Sequence, residues 1–370
     1  MKIALLSFHN AANYGAALQA YALQCYLDNQ EGFETEYIDY QNDMRRSAYD
    51  MNFHIRNCIK KHQWIAALKY FVGSPFMLLR KGKFTHFYEK LHCTAKTYYT
   101  PQQLDEIADR YDKYVVGSDQ VWNPHNNGHD TVFLLSFVKN NEKKISYSSS
   151  FGISSVPRDI KDDYKKCLRC FAYLSSREKL GCELIKELTG RDATHVLDPV
   201  FLLNGEKWGE CTNKKNTEDF VFCYTNRENQ LTDFFNTTKY QLNGSKLYKL
   251  TRYIKPSDFI SPSVRVKYTM SPEEFLGNIR DSKLVITASF HCLALAIIFN
   301  KQFVCFITGD KGKDERIVGL LEALGLTERI YTPKMTMEDV NKPIDYDKVN
   351  AKKDELVKHS TDYLLNALNS

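Results

Sequence analysis

The sequence predicts an α/β protein of two domains, each built around a largely parallel β-sheet. A chain of 370 residues is longer than one ordinary hydrophobic core supports. Short apolar segments alternate with helical segments in two successive runs, which is the pattern of parallel strands joined by right-handed crossovers. A polar stretch at 204–218 separates the runs and fits an interdomain link. We therefore predict an N-terminal domain at 1–203, a C-terminal domain at 204–346 and a final helix at 347–370 that packs back on the first domain.

The first run consists of short apolar strands and amphipathic helices. Strands are predicted at 2–7, 35–39, 113–116, 144–148, 171–174 and 194–197. Helices are predicted at 16–28, 158–169 and 175–189. The last of these helices starts with the pattern of a capping box, in which Ser175 is the N-cap and Glu178 follows three residues later. Gly190 is expected to end it as the C′ residue.

The second run repeats this alternation. Strands are predicted at 219–224, 246–250, 283–287 and 302–306. Helices are predicted at 229–240, 271–281, 291–299 and 314–324. Ser271, Pro272 and the two glutamates that follow form a strong helix start, because they supply an N-cap, a proline at the first helical position and acids in the first turn.

A basic, aromatic-rich segment at 41–100 interrupts the first run. It contains eleven lysines and arginines against three acids, with aromatic residues such as Trp64, Phe71 and Phe76 between them. Two interpretations stay open: a solvated helical insertion, or a surface that meets an anionic partner such as a membrane face or a lipid-linked diphosphate. Nucleic acid is not the expected partner, because no nucleic-acid motif accompanies the charge.

Cysteine spacing and apolar stretches exclude several classes of protein. The ten cysteines are scattered and only Cys167 and Cys170 are close together, so no metal site is expected. No cofactor is expected either. The N-terminus lacks the long apolar stretch and cleavage site of a signal peptide, so we expect a cytoplasmic protein with reduced thiols. The apolar stretch at 284–307 contains polar residues such as His291 and Asn300, which fits strand, helix and strand rather than a membrane span.

Candidate site residues follow the predicted strands, because ligands of parallel sheets bind beyond the carboxyl ends of the strands. After the first strand, Asn13 and Tyr14 precede a helix start that a ligand can approach, although the segment lacks the dinucleotide-binding glycine pattern. The strand at 113–116 is followed by a base, amides and a stacking plane that suit sugar hydroxyls: Asp119, Gln120, Trp122 and Asn123. Structural alternatives stay open for both segments: a plain turn at Asn13 and Tyr14, and a helix cap at Asp119 with Trp122 in the core.

Two further segments offer groups for an anion. Ser149 lies in a serine-rich turn whose hydroxyls and backbone amides would form an anion nest, unless the turn is only a polar loop. Arg177 lies in the first turn of the predicted helix, where the helix dipole opposes a positive charge and a bound anion would offset that cost. The alternative for Arg177 is a surface pair with Glu178.

His291 is the strongest single candidate. It follows the strand at 283–287 and lies in the first turn of a helix that Ser289 is placed to cap. A helix N-terminus favours neutral imidazole, whereas a bound anion would favour the protonated form and make His291 an acid.

Taken together, these segments resemble the polysaccharide pyruvyl transferase family over residues 1 to 330. The resemblance rests on NYGAALQAYAL at 13–23, GSDQVWN at 117–123, YSSSFG at 147–152, SRE at 176–178, LDP at 197–199, the spacing Pro272, Phe275, Leu276 and Ile279, and SFH at 289–291. It implies a GT-B-like fold of two Rossmann-like domains with a cleft between them. It also implies transfer of pyruvate from phosphoenolpyruvate to saccharide hydroxyls as a ketal, in surface or capsular polysaccharide biosynthesis.

One departure from the family pattern affects the donor site. Many members have an arginine two residues before the histidine, where this chain has Ser289, and Cys292 replaces a frequent glycine. The resemblance makes His291 the acid, with Asp119 as the expected base. The expected donor-binding residues are Arg177, Ser289, Ser149, Lys311 and Arg316, with Lys313 as a further candidate cation. The expected acceptor-binding residues are Asn13, Tyr14, Gln120, Trp122 and Asn123.

Two other functions remain open at this point. One is a GT-B glycosyltransferase that uses a nucleotide sugar, and the other is a non-catalytic subunit of a polysaccharide assembly complex. The acceptor saccharide is either free or lipid-linked, and a peripheral contact with an anionic membrane is the corresponding expectation for location.

Overall fold

The computed structural model describes residues 1–48, 51–212, 215–251 and 263–370, which fall into two compact units. Unit 1 comprises Met1–Tyr70, Thr85–Leu202 and Asp354–Ser370, and unit 2 comprises Phe71–Phe84 and Leu203–Lys353. The division after Leu202 lies one residue from the predicted boundary. Asp50 of the basic segment and positions 213 and 214 of the polar stretch lie outside the described residues.

Strands and helices alternate along both units. The strands are β1 (Lys2–Leu6), β2 (Glu34–Tyr37), β3 (Lys113–Val116), β4 (Lys144–Ser146), β5 (Ser175–Ser176), β6 (Thr194–His195), β7 (Phe220–Tyr224), β8 (Lys246–Leu250), β9 (Val264–Lys267), β10 (Leu284–Thr287) and β11 (Gln302–Cys305). The helices are α1 (Tyr14–Asp28), α2 (Asp43–Ala48), α3 (Met51–Lys60), α4 (Trp64–Tyr88), α5 (Pro124–Asn127), α6 (Lys161–Arg169), α7 (Lys179–Thr189), α8 (Gly205–Glu210), α9 (Glu228–Thr238), α10 (Pro272–Asp281), α11 (Phe290–Ile298), α12 (Lys311–Leu324), α13 (Met337–Asn341) and α14 (Tyr346–Asn369). Short 3₁₀ turns occupy Pro101–Ile107, Thr131–Leu134, Asn141–Lys143, Pro199–Leu202 and Thr327–Arg329.

The main sheet of unit 1 is parallel, with the strand order β2-β1-β3-β4. A small parallel sheet of β5 and β6 continues from it through isolated bridges such as Ile145 with Tyr173. Alternate side chains of β1 point to opposite faces: Ile3 packs with Leu364 of α14 on one face, and Leu6 packs in a second cluster on the other. The part of α14 from Asp354 onward therefore packs in unit 1, as predicted for the final helix.

One helix start differs from the sequence prediction. Ser175 and Ser176 form β5 instead of capping a helix, and α7 begins at Lys179 after the N-cap residue Glu178. The hydroxyl of Ser175 donates to the carbonyl of Ser146 at 2.7 Å, so it serves the neighbouring strand rather than a helix. The end of α7 is as predicted, because Gly190 has a left-handed φ of 75°.

The sheet of unit 2 is also parallel, with the strand order β11-β10-β7-β8-β9. β10 and β11 are neighbours, and Thr287 at the end of β10 aligns with Cys305 at the end of β11. The segments that open α11 and α12 therefore leave the same edge of the sheet side by side. The predicted capping box at Ser271 and Glu274 is present at the start of α10.

The polar stretch at 204–218 and the basic segment at 41–100 both contain helices. α8 lies in the stretch at 204–218 that was expected to be a link, and its Trp208 is fully buried. The basic segment contains α2, α3 and α4. α4 spans 25 residues, yet among the described residues no helix has both the length and the hydropathy needed to cross a bilayer.

Candidate functional site

Unit 1 carries a cluster of charged side chains beyond the carboxyl ends of its strands. We call it the arginine centre and define it as Ser118, Asp119, Arg177, Glu178 and Asp198. The first two follow β3, the next two follow β5, and Asp198 follows β6. Parallel strands that end at one edge thus bring together side chains as far apart in sequence as Ser118 and Asp198, which are 80 residues apart.

Arg177 lies in the middle of the arginine centre and is almost completely buried. One guanidinium nitrogen, Nη1, donates to Oδ2 of Asp198 at 2.6 Å and to Oγ of Ser118 at 3.1 Å. Nη2 lies 3.5 Å from Oδ1 of Asp119, and Nε lies 3.8 Å from Oε1 of Glu178. Burial opposes the charged form, but Asp198, Glu178 and Asp119 together hold the pKa of Arg177 above its usual value.

This arrangement changes the role expected for Arg177. The sequence placed it in the first turn of a helix, but it precedes the N-cap residue Glu178. Carboxylates of the protein therefore supply the compensating charge that the sequence analysis assigned to a bound anion. With one cation among three carboxylates, the arginine centre is better suited to hydroxyl groups than to a second anion.

Asp119 is the member of the arginine centre that reaches the surface. Its backbone has a left-handed φ of 77°, a conformation that aspartate tolerates better than most residues. Oδ1 accepts a hydrogen bond from the backbone N–H of Gln120 at 2.8 Å and faces Arg177. Within the described parts of the chain, Oδ2 accepts no hydrogen bond, and the side chain is 19% exposed. Asp119 thus presents one fixed and one available carboxylate oxygen.

Three residues that were expected to bind the acceptor support the loop around Asp119 instead. Trp122 is fully buried, and its Nε1 donates to the carbonyl of Phe133 at 2.9 Å, so the structure assigns it to the core rather than to a stacking plane. Asn123 caps α5 by accepting a hydrogen bond from the N–H of His125. The side-chain oxygen of Gln120 accepts a hydrogen bond from Asn126 at 2.7 Å.

Ser149 also differs from the expectation of an anion nest. It is fully buried, and its hydroxyl donates to the backbone carbonyls of Val116 at 3.1 Å and Gly117 at 3.3 Å. A hydroxyl committed to carbonyls in the interior does not bind an anion. Its neighbour Ser150 donates to Glu178 of the arginine centre.

The start of α1 lies at the end of β1. Asn13 is the N-cap of α1 and accepts hydrogen bonds from the N–H groups of Gly15 at 2.9 Å and Ala16 at 3.5 Å. It remains partly exposed, whereas Tyr14 is buried. Of the two, only Asn13 is available at the surface for an acceptor.

A buried ion pair near this helix start was missed by the sequence analysis. Nε2 of His9 lies 3.5 Å from Oδ1 of Asp39, and Nδ1 lies 3.2 Å from the carbonyl of Ser7. Burial lowers the pKa of His9, but Asp39 and Cys93 outweigh it and raise that pKa to about 9. Burial acts in the opposite direction on Asp39, yet hydrogen bonds from His9 and its other neighbours hold the pKa of Asp39 below its usual value. Two residues 30 positions apart meet only because β1 and β2 are adjacent, so local patterns give no signal for the pair.

In unit 2, His291 lies where the sequence analysis expected it. Ser289 is the N-cap of α11 and accepts a hydrogen bond from the N–H of Cys292 at 3.5 Å. The N–H of Ser289 in turn donates to Oγ1 of Thr287 at 3.0 Å, which fixes the turn between β10 and α11. His291 is 9% exposed and Ser289 is more accessible.

The candidate cations lie at the start of α12, on the same sheet edge. Asp310 caps this helix, so Lys311 and Lys313 belong to its first turn, three residues earlier than the predicted start at 314. Lys313 lies 3.4 Å from Asp310, Lys311 is exposed, and Arg316 is partly exposed one turn further on.

The loop before α12 is braced rather than free to close over a ligand. Asp314, which is nearly buried, accepts hydrogen bonds from the N–H groups of Thr308 and Gly309 at 2.6–2.9 Å. The left-handed φ of 83° at Gly309 fits this bend. Among the described residues, no group of histidine, cysteine and acidic side chains is arranged to hold a metal ion.

Comparison with known proteins identifies a family and a fold. The model of the polysaccharide pyruvyl transferase family matches residues 13–310. No curated protein sequence matches the chain. A solved structure from Listeria monocytogenes, described as a UDP-N-acetylglucosamine 2-epimerase, is 10% identical with a TM-score of 0.52 and covers 96% of this chain and 90% of its own. The UDP-GlcNAc 2-epimerase of Neisseria meningitidis bound to UDP-GlcNAc is 8% identical with a TM-score of 0.50, and the match covers 99% of this chain and 94% of that one. At these identities the likeness shows the fold alone, which is of the GT-B type with two Rossmann-like halves.

Proposed function

The chain belongs to the polysaccharide pyruvyl transferase family, and we propose that it transfers pyruvate from phosphoenolpyruvate onto two hydroxyls of a saccharide as a ketal. The observation that carries this proposal is the position of His291, at a capped helix start beyond β10 and beside the cationic start of α12. This edge of unit 2 offers an acid, backbone N–H donors and cations together, which suits a donor that carries both a carboxylate and a phosphate.

In the proposed reaction, the residues of unit 2 act on the donor. Lys311 and Arg316 hold the phosphate and carboxylate, together with the N–H groups at the start of α11. His291 gives a proton to the methylene carbon, which becomes a methyl group and leaves an oxocarbenium-like carbon beside it. After the first saccharide hydroxyl has added to this carbon, the bond from the carbon to the phosphate oxygen breaks and phosphate leaves with the electron pair. The carbon becomes oxocarbenium-like again and accepts the second hydroxyl.

Asp119 of unit 1 acts on the acceptor. Oδ2 accepts the proton of the first saccharide hydroxyl as that oxygen bonds to the oxocarbenium-like carbon, and the second hydroxyl closes the ketal with loss of its own proton. Arg177 supports this role by holding Oδ1 of Asp119, which lies 3.5 Å from its Nη2. We assign Arg177 to positioning Asp119. A direct contact between Arg177 and the donor, as the sequence analysis expected, is the alternative that kinetics distinguish.

The reaction is tested by mass spectrometry of saccharide acceptors after incubation with phosphoenolpyruvate. We expect products heavier than the acceptor by one pyruvate less one water, and release of one phosphate per product. The variant His291→Gln should give neither product under the same conditions. Release of phosphate without a pyruvylated saccharide would contradict the proposal.

A glycosyltransferase that uses a nucleotide sugar is the second candidate. The observation in its favour is the fold shared with the Neisseria epimerase bound to UDP-GlcNAc. Thermal unfolding in the presence of each donor separates the two, since a ligand that binds the folded state raises Tm. We expect phosphoenolpyruvate to raise Tm and UDP-GlcNAc to leave it unchanged; the reverse result would favour the glycosyltransferase.

We further propose that the protein works in the cytoplasm on surface or capsular polysaccharide precursors, with an acceptor that is lipid-linked. The excess of cations in the basic segment supports such a location at an anionic membrane face.

A further inference from the structure

One face of α4 exposes a row of large apolar side chains. Trp64, Leu68, Phe71, Leu78 and Leu79 are each more than 60% exposed. At 3.6 residues per turn they fall within about 100° of the helix circumference and extend over about 22 Å. We call this row the apolar stripe. Soluble proteins seldom expose so large a contiguous apolar surface unless it binds something.

The segment of the chain that carries the apolar stripe has charged residues of a single sign. From residue 51 to residue 88 the chain has seven lysines and arginines and no acid. Lys83 is paired with Glu274 at 2.6 Å, whereas Lys60 and Lys61 extend into solvent. The apolar stripe therefore lies among exposed cations that attract an anionic surface.

We propose that α4 binds peripherally to an anionic lipid bilayer, with the apolar stripe at the boundary of headgroups and acyl chains and the lysines among the lipid phosphates. A helix with bulky apolar residues on one side and cations nearby is suited to lie in this interface. The stripe has no hydrogen-bonding groups apart from the indole N–H of Trp64, whereas protein interfaces carry roughly one hydrogen bond per 100–200 Å².

A second copy of the chain is a poor occupant of the same surface. Exposed cations such as Lys60, Lys61 and Lys81 would face identical cations across a two-fold contact, and like charges oppose such an association. This bilayer contact assigns a surface of the protein to the membrane location proposed above. It does not depend on the chemistry of the proposed reaction.

The test is sedimentation of the full-length protein with vesicles of equal parts phosphatidylglycerol and phosphatidylcholine. Leu68→Glu with Leu78→Glu interrupts the apolar stripe, and Lys60→Glu with Lys61→Glu reverses two cations. All four residues are exposed, so the fold should be retained. The matched controls are Tyr99→Glu with Met337→Glu, and Lys139→Glu with Lys348→Glu, which change the same charges at exposed positions outside α3 and α4.

At low salt we expect both test variants to lose at least about tenfold in vesicle partitioning, because each cation near such a surface and each inserted side chain contributes to binding. The controls should bind like the parent, and binding of the parent should weaken steeply as salt is added. Activity on a soluble acceptor should be equal in all variants, so a failure of lipid binding is distinguished from a failure of the proposed reaction. Equal binding of test and control variants would overturn the proposal. The proposal would also be overturned if the parent protein did not bind the vesicles, or if the parent formed oligomers that dissociated when the apolar stripe was changed.

Discussion

Replacement of Arg177 by methionine should destabilise unit 1 strongly. The change removes the only cation of the arginine centre and leaves Asp198, whose side chain is fully buried, without the Nη1 hydrogen bond at 2.6 Å. Breaking a buried ion pair on one side costs about 3–5 kcal/mol, because the remaining charge is uncompensated. The hydrogen bond from Ser118 to Asp198 at 2.7 Å remains and places the expected loss at the lower end of that range. Urea unfolding of parent and variant measures the difference.

Two control variants show whether the loss of stability comes from the buried charge of Arg177. Arg177→Lys keeps the charge but not the forked geometry, so its loss should be clearly smaller than that of the methionine variant. Arg265 forms an exposed pair with Glu218 at 3.1 Å, and Arg265→Met should leave the free energy of unfolding almost unchanged. If Arg177→Met and Arg265→Met unfolded alike, the arginine centre would not be the buried network described above.

Three further measurements test the remaining residues. His291→Gln should retain the Tm of the parent and lose at least about 100-fold in turnover, the usual contribution of a general acid, whereas exposed His359→Gln should be unchanged; near-normal turnover would remove His291 from the reaction. Arg316→Ala should raise the donor KM, whereas Arg177→Lys should lower kcat with little change in donor KM if Arg177 positions Asp119; the opposite pattern would assign Arg177 to the donor. The pKa of His9 is raised to about 9, so its stabilising charge is complete below the unfolded value of 6.5 and is lost as the pH rises through 9. Tm should therefore fall over this interval in the parent and fall less in His9→Asn, and equal slopes would refute the pairing with Asp39.

Strands and helix ends were predictable where a local pattern decides the structure. The strands at 113–116 and 246–250 begin and end as predicted, because their runs of apolar and β-forming residues are buried in parallel sheets. The start of α10 was predictable for a similar reason, since N-cap, proline and acids are all local signals. β9 was missed: it is the edge strand at 264–267, and its alternating charged residues give only a weak apolar signal.

The details of the candidate site depend on contacts between distant segments. Ser175 has the local pattern of a helix cap, but the carbonyl of Ser146 on the adjacent strand takes its hydroxyl. The left-handed turn at Asp119 directs the next segment inward, where the N–H of Trp122 donates to the carbonyl of Ser150 at 3.1 Å. A sequence shows which residues follow a strand, but it does not show which of them turn toward the core.

Ser289 stands where many members of the family have an arginine, so this chain has a helix cap at that position instead of a cation. Its hydroxyl accepts the N–H of Cys292, and a serine at this position stabilises a helix by about 1 kcal/mol relative to a residue that cannot accept. An arginine there lacks this acceptor, so Ser289→Arg should lower Tm. The same arginine would stand beside the start of α12, because β10 and β11 are neighbours, and it should partly restore donor KM in the Arg316→Ala background. Stability and donor affinity should thus change in opposite directions in one variant. A Ser289→Arg change that lowers Tm without improving donor KM would show that positions 289 and 316 do not serve the same anion.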